Sequence, residues 1–168
     1  MKLAELDALP PARFVATLAG IFEHSPWVAE GVVAMRPFGS VDALHRAMVG
    51  VVDAAGHERQ LALIRAHPEL AGKAAVRGDI ADASRREQAG AGLAQCSPQE
   101  FERLQQLNRD YNARFGFPFI VAVKGLDRAA IIERFATRLG NAPEAEFAEA
   151  LAQIARIARL RLDALIDG

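Results

Sequence analysis

The sequence contains one stretch with the character of a β-strand, Phe117-Pro118-Phe119-Ile120-Val121-Ala122-Val123. The stretch is apolar, partly β-branched and bounded by Gly116 and Gly125, which is typical of a buried strand. No second stretch of this kind occurs, so a strand here has no partner with which to form a sheet. The rest of the chain has mostly helical periodicity. We therefore expect an all-α fold with one buried extended or irregular segment near residues 117–124.

Capping signals predict a helix before this segment and two helices after it. Ser97-Pro98-Gln99-Glu100 combines a capping box with proline at the first helical position, which is typical of a helix start. Gly116 stands where a glycine closes the same helix. After the segment, Asp127 is the expected cap of a helix that ends near Gly140, and a last helix is expected over residues 143–165.

The N-terminal part of the chain has apolar residues at helical spacing, interrupted by proline and glycine. Ser25 and Ser40 are predicted to cap two of its helices. Residues 72–81 are expected to be irregular, and Asp82 or Ser84 is expected to cap the helix that follows. The apolar positions of the N-terminal helices are Leu3, Leu6, Leu9, Phe14, Leu18, Ile21, Phe22, Val41, Leu44, Met48, Val52, Leu61, Leu63 and Ile64.

The composition predicts a globular protein of one domain. The chain has 168 residues, of which 51% are hydrophobic and 24% are charged, so residues 1–168 can bury a core as a single compact multi-helix domain. The formal net charge is -1. Proteins that bind nucleic acids or anionic membranes usually have a strong excess of basic residues. We therefore expect neither as a partner. No segment approaches the ~18 apolar residues of a membrane span.

The expected compartment is the cytoplasm. Cys96 is the only cysteine, so neither an intrachain disulfide nor a cysteine-based zinc cluster can form. The first residues of the chain carry acids where a secretory signal needs an apolar run.

His67 is the first candidate for chemistry. An apolar helical pattern stops at this residue, and Pro68 follows it. Proline fixes its own φ and moves the preceding residue out of the α region, so His67 is expected at a helix end, on a stiff corner. A titratable ring on such a corner suits proton transfer. The alternative is a histidine that only caps a helix C-terminus.

A second candidate lies at residues 84–88. On a helix, Ser84 and Glu87 would be three residues apart on one face with Gln88 beside them, which brings together a hydroxyl, a carboxylate and an amide. The alternative is a solvated capping turn in which Ser84 is the cap and Glu87 reaches back to it.

Arg159 and Arg161 alternate with two leucines near the end of the chain. On a helix these four residues cannot separate into an apolar and a polar face. One arginine is therefore expected to point inward, where it would need an anion. The alternative is that both arginines lie on the surface.

Several classes of site are excluded by spacing. No two of the four histidines have the i, i+4 spacing of a zinc-binding helix. His67-Pro68-Glu69 has the His-x-Glu order of zinc deaminases, but these enzymes need a later pair of cysteines. The sequence has no phosphate-binding loop, no GxGxxG and no GxSxG motif. We expect no metal.

Taken together, the motifs resemble the OHCU decarboxylase family, which acts on 2-oxo-4-hydroxy-4-carboxy-5-ureidoimidazoline (OHCU) in the conversion of urate to allantoin. The resemblance covers essentially the whole chain and implies an all-α homodimer that works without metal or organic cofactor. The stretches that carry it are Phe22-Glu23-His24-Ser25-Pro26-Trp27, His67-Pro68-Glu69-Leu70-Ala71-Gly72, Ser84-Arg85-Arg86-Glu87-Gln88-Ala89-Gly90-Ala91-Gly92-Leu93, Tyr111-Asn112-Ala113-Arg114-Phe115-Gly116-Phe117-Pro118-Phe119 and Leu160-Arg161-Leu162.

The resemblance also implies roles for individual residues. It implies that His67 is the catalytic residue with Glu87 beside it, and that Arg161 is a cationic partner of the substrate. The implied activity is decarboxylation of OHCU to (S)-allantoin and CO2. The residues implied to line the substrate site are Pro68, Ser84, Arg85, Arg86, Gln88 and the main chain of Phe119, Ile120, Val121, Ala122 and Val123.

Three alternatives remain open at this point. A helical binding module could hold a purine-derived ligand without converting it. A purely structural helical domain could use the His67-Pro68 corner only as a cap. A different cofactor-free lyase or isomerase could use the same scaffold.

Overall fold

The computed structural model describes residues 1–71 and 82–167, and the regular elements of this part of the chain are helical. The described residues contain no β-strand, so the expected all-α class is confirmed. The α-helices are α1 (Leu3–Asp7), α2 (Pro11–Leu18), α3 (Trp27–Val32), α4 (Val41–Ala54), α5 (His57–Ala66), α6 (Asp82–Gly90), α7 (Pro98–Phe115), α8 (Arg128–Leu139) and α9 (Pro143–Leu165). Two short 3-10 helices are also present, Val33–Met35 after α3 and Leu93–Gln95 after α6. The predicted irregular stretch at residues 72–81 lies outside the described residues.

The chain divides into two compact units. The first unit consists of Met1–Ala66 and Ala155–Gly168, and the second consists of His67–Ile154. Helix α9 contributes its first part to the second unit and its last part to the first. That residues 1–168 form one domain stays a prediction. No helix of the described residues is long and apolar enough to cross a membrane.

Three of the helix N-caps that the sequence predicts are present in the structure. Ser40 accepts a hydrogen bond from the Ala43 N–H at 3.1 Å, and Ser97 accepts one from Glu100 N at 3.1 Å in a complete capping box. Asp127 accepts one from Ala130 N at 2.8 Å.

Ser25 is the exception, because it is not a side-chain cap of α3. Its hydroxyl donates to the Glu23 carbonyl at 2.9 Å, and α3 starts at Trp27 after Pro26, which is already in the α conformation. The predicted cap at Ser25 was therefore wrong. The hydroxyl instead bonds within its own turn, as serine side chains often do.

An aromatic cluster forms the centre of the second unit. The ring of Tyr111 on α7 packs against the rings of Phe115, Phe117, Phe119 and Phe135, with centroids between 4.5 and 5.9 Å away. Two of these phenylalanines belong to the strand-like stretch, and all of residues 117–123 are buried without regular secondary structure. The expectation of a buried irregular segment is confirmed.

A buried carboxylate lies at the edge of this cluster. Glu146 on α9 is fully buried. It accepts hydrogen bonds from the Tyr111 hydroxyl at 2.7 Å, from Arg138 Nε at 2.6 Å and from Asn141 Nδ2 at 3.0 Å. Burial raises the pKa of the Tyr111 hydroxyl well above its usual range, and the hydrogen bond to Glu146 adds to this rise. The carboxylate network anchors α7, α8 and α9 around the segment.

Candidate active site

His67 lies directly after the last residue of α5. The helix ends at Ala66, and His67 forms a bend before Pro68. The histidine is only 7% exposed. The predicted corner is therefore present, and its physical cause is the proline, which cannot continue a helix and disfavours α geometry in the residue before it.

The chain after this corner is held by side-chain amides. Gln88 Nε2 donates to the Glu69 carbonyl at 3.3 Å, Asn108 Nδ2 to the Leu70 carbonyl at 3.0 Å, and Gln105 Nε2 to the Ala71 carbonyl at 2.7 Å. We call these residues and Asn112 the amide clamp, and residues 68–71 the clamped turn. Three consecutive carbonyls of the clamped turn thus each accept a hydrogen bond from a different side chain.

Two further bonds complete the clamp. Gln88 Oε1 accepts from the Ala71 N–H at 3.0 Å, and Asn112 Nδ2 donates to Glu69 Oε1 at 2.6 Å. Ala71 has a φ of +49°. This left-handed conformation costs a residue with a Cβ about 1 kcal/mol, so surrounding bonds must hold it.

Helix α6 places the second candidate group in the same unit. Ser84 and Gln88 are buried and lie four residues apart, on one face of the helix. Glu87 is half-buried, whereas Arg85 and Arg86 are exposed. Because α6 begins at Asp82, Ser84 lies inside its first turn and not before it, which does not fit the capping alternative.

The bonds of Gln88 connect α6 to the clamped turn that follows His67. Among the described residues, one Nε2 hydrogen and one lone pair of Oε1 of Gln88 have no partner beyond these bonds. The expected pairing of His67 with Glu87 and the expected substrate contacts of the α6 residues stay predictions.

Three main-chain groups of the segment Phe119–Val123 form hydrogen bonds within the protein. Arg138 Nη1 donates to the Ile120 carbonyl at 2.6 Å, and the Ala122 N–H donates to Gln153 Oε1 at 2.9 Å. The Val123 carbonyl accepts from the main chain of Leu126 at 3.0 Å. These three main-chain groups are therefore already bonded within the protein.

Other peptide groups of the segment remain available. Within residues 1–71 and 82–167, the N–H and C=O of Val121 have no hydrogen-bond partner, although Val121 is only 5% exposed. An unpaired buried peptide group costs free energy, so these atoms are candidates for contact with a ligand.

Arg161 belongs to the first unit and points inward. It is 8% exposed, and its Nη1 donates to Glu23 Oε2 at 3.0 Å and to the Gly20 carbonyl at 3.1 Å. Glu23 is itself 2% exposed. Arg159 forms surface ion pairs with Asp42 and Asp163. The expectation of one inward arginine with an anion is confirmed, and the contact of Arg161 with substrate stays a prediction.

Sequence reasoning missed the residues that support the site. Gln105, Asn108 and Asn112 were not singled out, nor were Arg138 and the partners of Phe119–Val123 on α9. A signal was present for the first three, because they are spaced i, i+3 and i+7 and form a polar stripe beside the apolar stripe of α7. In the described part of the chain, no cluster of three or more His, Cys, Asp or Glu side chains could hold a metal ion.

The family follows from the sequence as a whole. A sequence model of OHCU decarboxylase matches residues 7–163, which is nearly the entire chain. The chain belongs to the OHCU decarboxylase family. The resemblance seen in the separate motifs is therefore confirmed.

Individual relatives agree with this family over most of the chain. The chain is 46% identical over 162 residues to the uric acid degradation bifunctional protein PucL of Bacillus subtilis, and the match covers 96% of this chain and 32% of PucL. The chain thus spans about a third of the length of this relative. It is 43% identical over 162 residues to the 2-oxo-4-hydroxy-4-carboxy-5-ureidoimidazoline decarboxylase of Haloferax volcanii, covering 96% of this chain and 94% of that enzyme.

A solved structure extends the agreement to the fold. The crystal structure of an (S)-allantoin synthase matches with a TM-score of 0.81 at 30% identity, over 99% of this chain and 55% of that chain. The fold of this chain is therefore similar to part of that structure over 99% of its length.

Proposed function

We infer that this protein is a carboxy-lyase that converts OHCU to (S)-allantoin and CO2 in urate catabolism. The observation that carries this conclusion is the 43% identity to the Haloferax volcanii decarboxylase, whose name gives this single activity. The match covers 94% of that enzyme's length. The substrate is a small molecule. PucL is a bifunctional protein by name, and the chain matches 32% of it. The inference is therefore limited to one reaction, the decarboxylation.

The reaction needs an electron sink and a proton on one face. Loss of CO2 breaks the bond between C4 and the carboxylate, and the imine-type nitrogen of the substrate ring can accept the electron pair. The nitrogen that accepts the pair takes up one proton from solvent. A proton then arrives at C5, while the C4 hydroxyl gives up its proton as it becomes a carbonyl, so the reaction consumes one proton overall. Because the substrate supplies the sink, thiamine, pyridoxal and metal chemistry are not required. The protein must orient the carboxylate, move a proton and shield one face.

In this proposal His67 exchanges the proton with the C4 hydroxyl or the ring. Support comes from its position, a buried ring on a proline corner with the clamped turn directly after it. Glu87 orients the imidazole and stabilises its charged form, as carboxylates do for catalytic histidines. These two residues form the proton-transfer pair.

The other site residues hold the substrate. Ser84 and Gln88, and Arg161 as the cation, bind the ureido and ring oxygens or the carboxylate, while Arg85 and Arg86 line the substrate site. The main chain of Phe119–Val123 offers hydrogen bonds, and the unpartnered peptide groups of Val121 in the described part of the chain support this role. The N–H of such a residue can donate to the ureido carbonyl, and its C=O can accept from a ureido N–H.

We also propose that the enzyme is a cytoplasmic homodimer that needs no cofactor. The mass of the purified protein in solution, measured by light scattering, tests the oligomeric state. Full activity after dialysis against a chelator tests the absence of a metal.

The decisive experiment compares His67→Asn with His57→Asn. His57 is the exposed first residue of α5, and His67 directly follows the end of the same helix, so the two variants make the same change near opposite ends of one helix. Each variant is checked for helicity by circular dichroism. Substrate is generated fresh from urate with the oxidase and hydrolase present, and CO2 and allantoin chirality are followed.

We expect the wild type to form only (S)-allantoin, faster than the spontaneous decay. His67→Asn should lose about a hundredfold or more in turnover, the usual contribution of a positioned acid–base group, and His57→Asn should behave as wild type. A folded His67→Asn variant with normal turnover would refute the role of His67. Stabilisation by substrate without CO2 release would instead support the binding-module alternative.

A further inference from the structure

We propose that Gln105, Asn108 and Asn112 are positioning residues for His67. They act through the clamped turn at residues 68–71, which is joined to His67 by a single peptide bond. The inference rests on the proposed catalytic role of His67 and extends it to a face of α7 that lines no assigned substrate contact.

The first argument is the way in which the clamped turn is bonded. Within the described ranges, the main-chain groups of Glu69, Leu70 and Ala71 form no hydrogen bond to another main chain. Pro68 has no N–H to contribute. Their hydrogen bonds go instead to side-chain amides of α6 and α7. Among the described residues, the hydrogen bonds that hold the turn therefore come from these side-chain amides.

The second argument is strain. Ala71 holds a φ of +49°, a region that residues with a Cβ rarely occupy. Both of its main-chain polar groups are bonded, the N–H to Gln88 Oε1 at 3.0 Å and the carbonyl to Gln105 Nε2 at 2.7 Å. When either bond is removed, we expect the turn to relax toward an ordinary conformation, and His67 to move with it.

The third argument is that the clamp is not optimised for stability. Asn108 is 3% exposed, and its Oδ1 is buried with no hydrogen-bond partner among the described residues. A buried unpaired amide oxygen is unfavourable, and an apolar residue would avoid the cost. Asparagine at this position is explained by the bond that its Nδ2 makes to Leu70, three residues from the histidine.

The fourth argument is the rigidity of the platform. Helix α7 has 18 residues, a complete capping box at Ser97 and a left-handed glycine at Gly116. The three clamp residues on it face one side, since they are spaced i, i+3 and i+7. Catalytic groups need support from side chains on rigid elements, because a displacement of about 1 Å can cost about a hundredfold in rate.

The test uses one substitution at two adjacent positions. Gln105→Met keeps the length and helix preference of the side chain and removes the donor to Ala71. Gln106→Met makes the same change on the exposed face of α7, where the amide bonds, among the described residues, to Asp110 and Arg109. Asn108→Leu serves as a second clamp variant. The measurements are kcat and KM for OHCU, the urea midpoint, and the NMR signals of the His67 imidazole without substrate.

We expect Gln105→Met to lower kcat by about tenfold to a hundredfold, with KM within about twofold of wild type. Gln106→Met should leave both constants unchanged. The His67 ring signals should shift or broaden in Gln105→Met and Asn108→Leu but not in Gln106→Met. A merely structural role predicts a lower urea midpoint with normal kcat, and that result would overturn the inference.

The outcomes also separate this inference from the proposed function. If the wild-type protein does not accelerate CO2 release, the proposed function fails. The NMR measurement then decides the positioning role by itself. His67 signals that are identical in Gln105→Met and wild type would refute it, and signals that change only in the clamp variants would support it.

Discussion

Replacing Glu146 by glutamine should destabilise the protein strongly. The wild-type carboxylate is fully buried and accepts hydrogen bonds from Tyr111, Arg138 and Asn141. Glutamine has nearly the same shape but no charge, and its NH2 group can only donate. At least one of the three donors would therefore face another donor, and the Arg138 guanidinium, whose side chain is 11% exposed, would lose the anion with which it pairs.

The size of the effect follows from this environment. Breaking a buried ion pair by removing one partner costs about 3–5 kcal/mol. Glutamine keeps one acceptor oxygen, so we expect the lower end, about 3 kcal/mol. For a chain of this length each kcal/mol lowers Tm by about 2–4 °C, and the expected fall in Tm is on the order of 10 °C.

The matched control is Glu144→Gln. Glu144 is an exposed glutamate in the first turn of α9, two residues away. Thermal and urea unfolding of both variants and wild type, followed by far-ultraviolet circular dichroism, gives the two differences. Glu144→Gln should change stability by less than about 0.5 kcal/mol. Equal stability of Glu146→Gln and Glu144→Gln would refute the reasoning that the buried carboxylate balances Arg138.

Three other predictions concern single residues. Glu87→Ala should lower turnover at least tenfold with little change in Tm, since Glu87 is only half-buried; an unchanged rate would remove it from the proposed pair. Arg161→Ala should raise the KM for OHCU and, because Glu23 then loses a buried cation, should also cost about 3 kcal/mol of stability in urea. Tyr111 is the only tyrosine and its pKa is raised in the fold, so the folded protein should show no tyrosinate absorbance at a pH just above the usual value of about 10. Since the unfolded chain ionises there and the folded one does not, the stability that Tyr111 contributes is complete below that pH and is lost as the pH rises above it; a tyrosinate signal with the ordinary midpoint in folded protein would contradict this.

Most of the helices could be predicted because their signals are local. A capping serine bonds to an N–H three residues later, as Ser40 and Ser97 do, and Pro68 affects the residue beside it. The failure at Ser25 has the same scale, since its hydroxyl bonds to the carbonyl of Glu23, two residues earlier, and does not cap α3.

The catalytic candidates could be named from motifs, but their support could not. Nothing local indicates that Asn108 would bond to a carbonyl 38 positions earlier in the chain, or that Tyr111 would bond to Glu146, 35 positions later. The polar stripe on α7 shows only that these side chains share one face. Which partner that face meets depends on how α6, α7 and the clamped turn pack.

The sequence by itself determined that the fold is all-α, that a helix stops at His67, and that residues 117–123 form a buried segment without a sheet. Periodicity, caps and proline geometry act within a few residues, so they can be derived without a structure. Only the tertiary structure decided how the clamped turn is held, which peptide groups of Phe119–Val123 are tethered, and which anion Arg161 meets. These features are hydrogen bonds and ion pairs between residues far apart in the chain, and packing alone brings such residues within bonding distance.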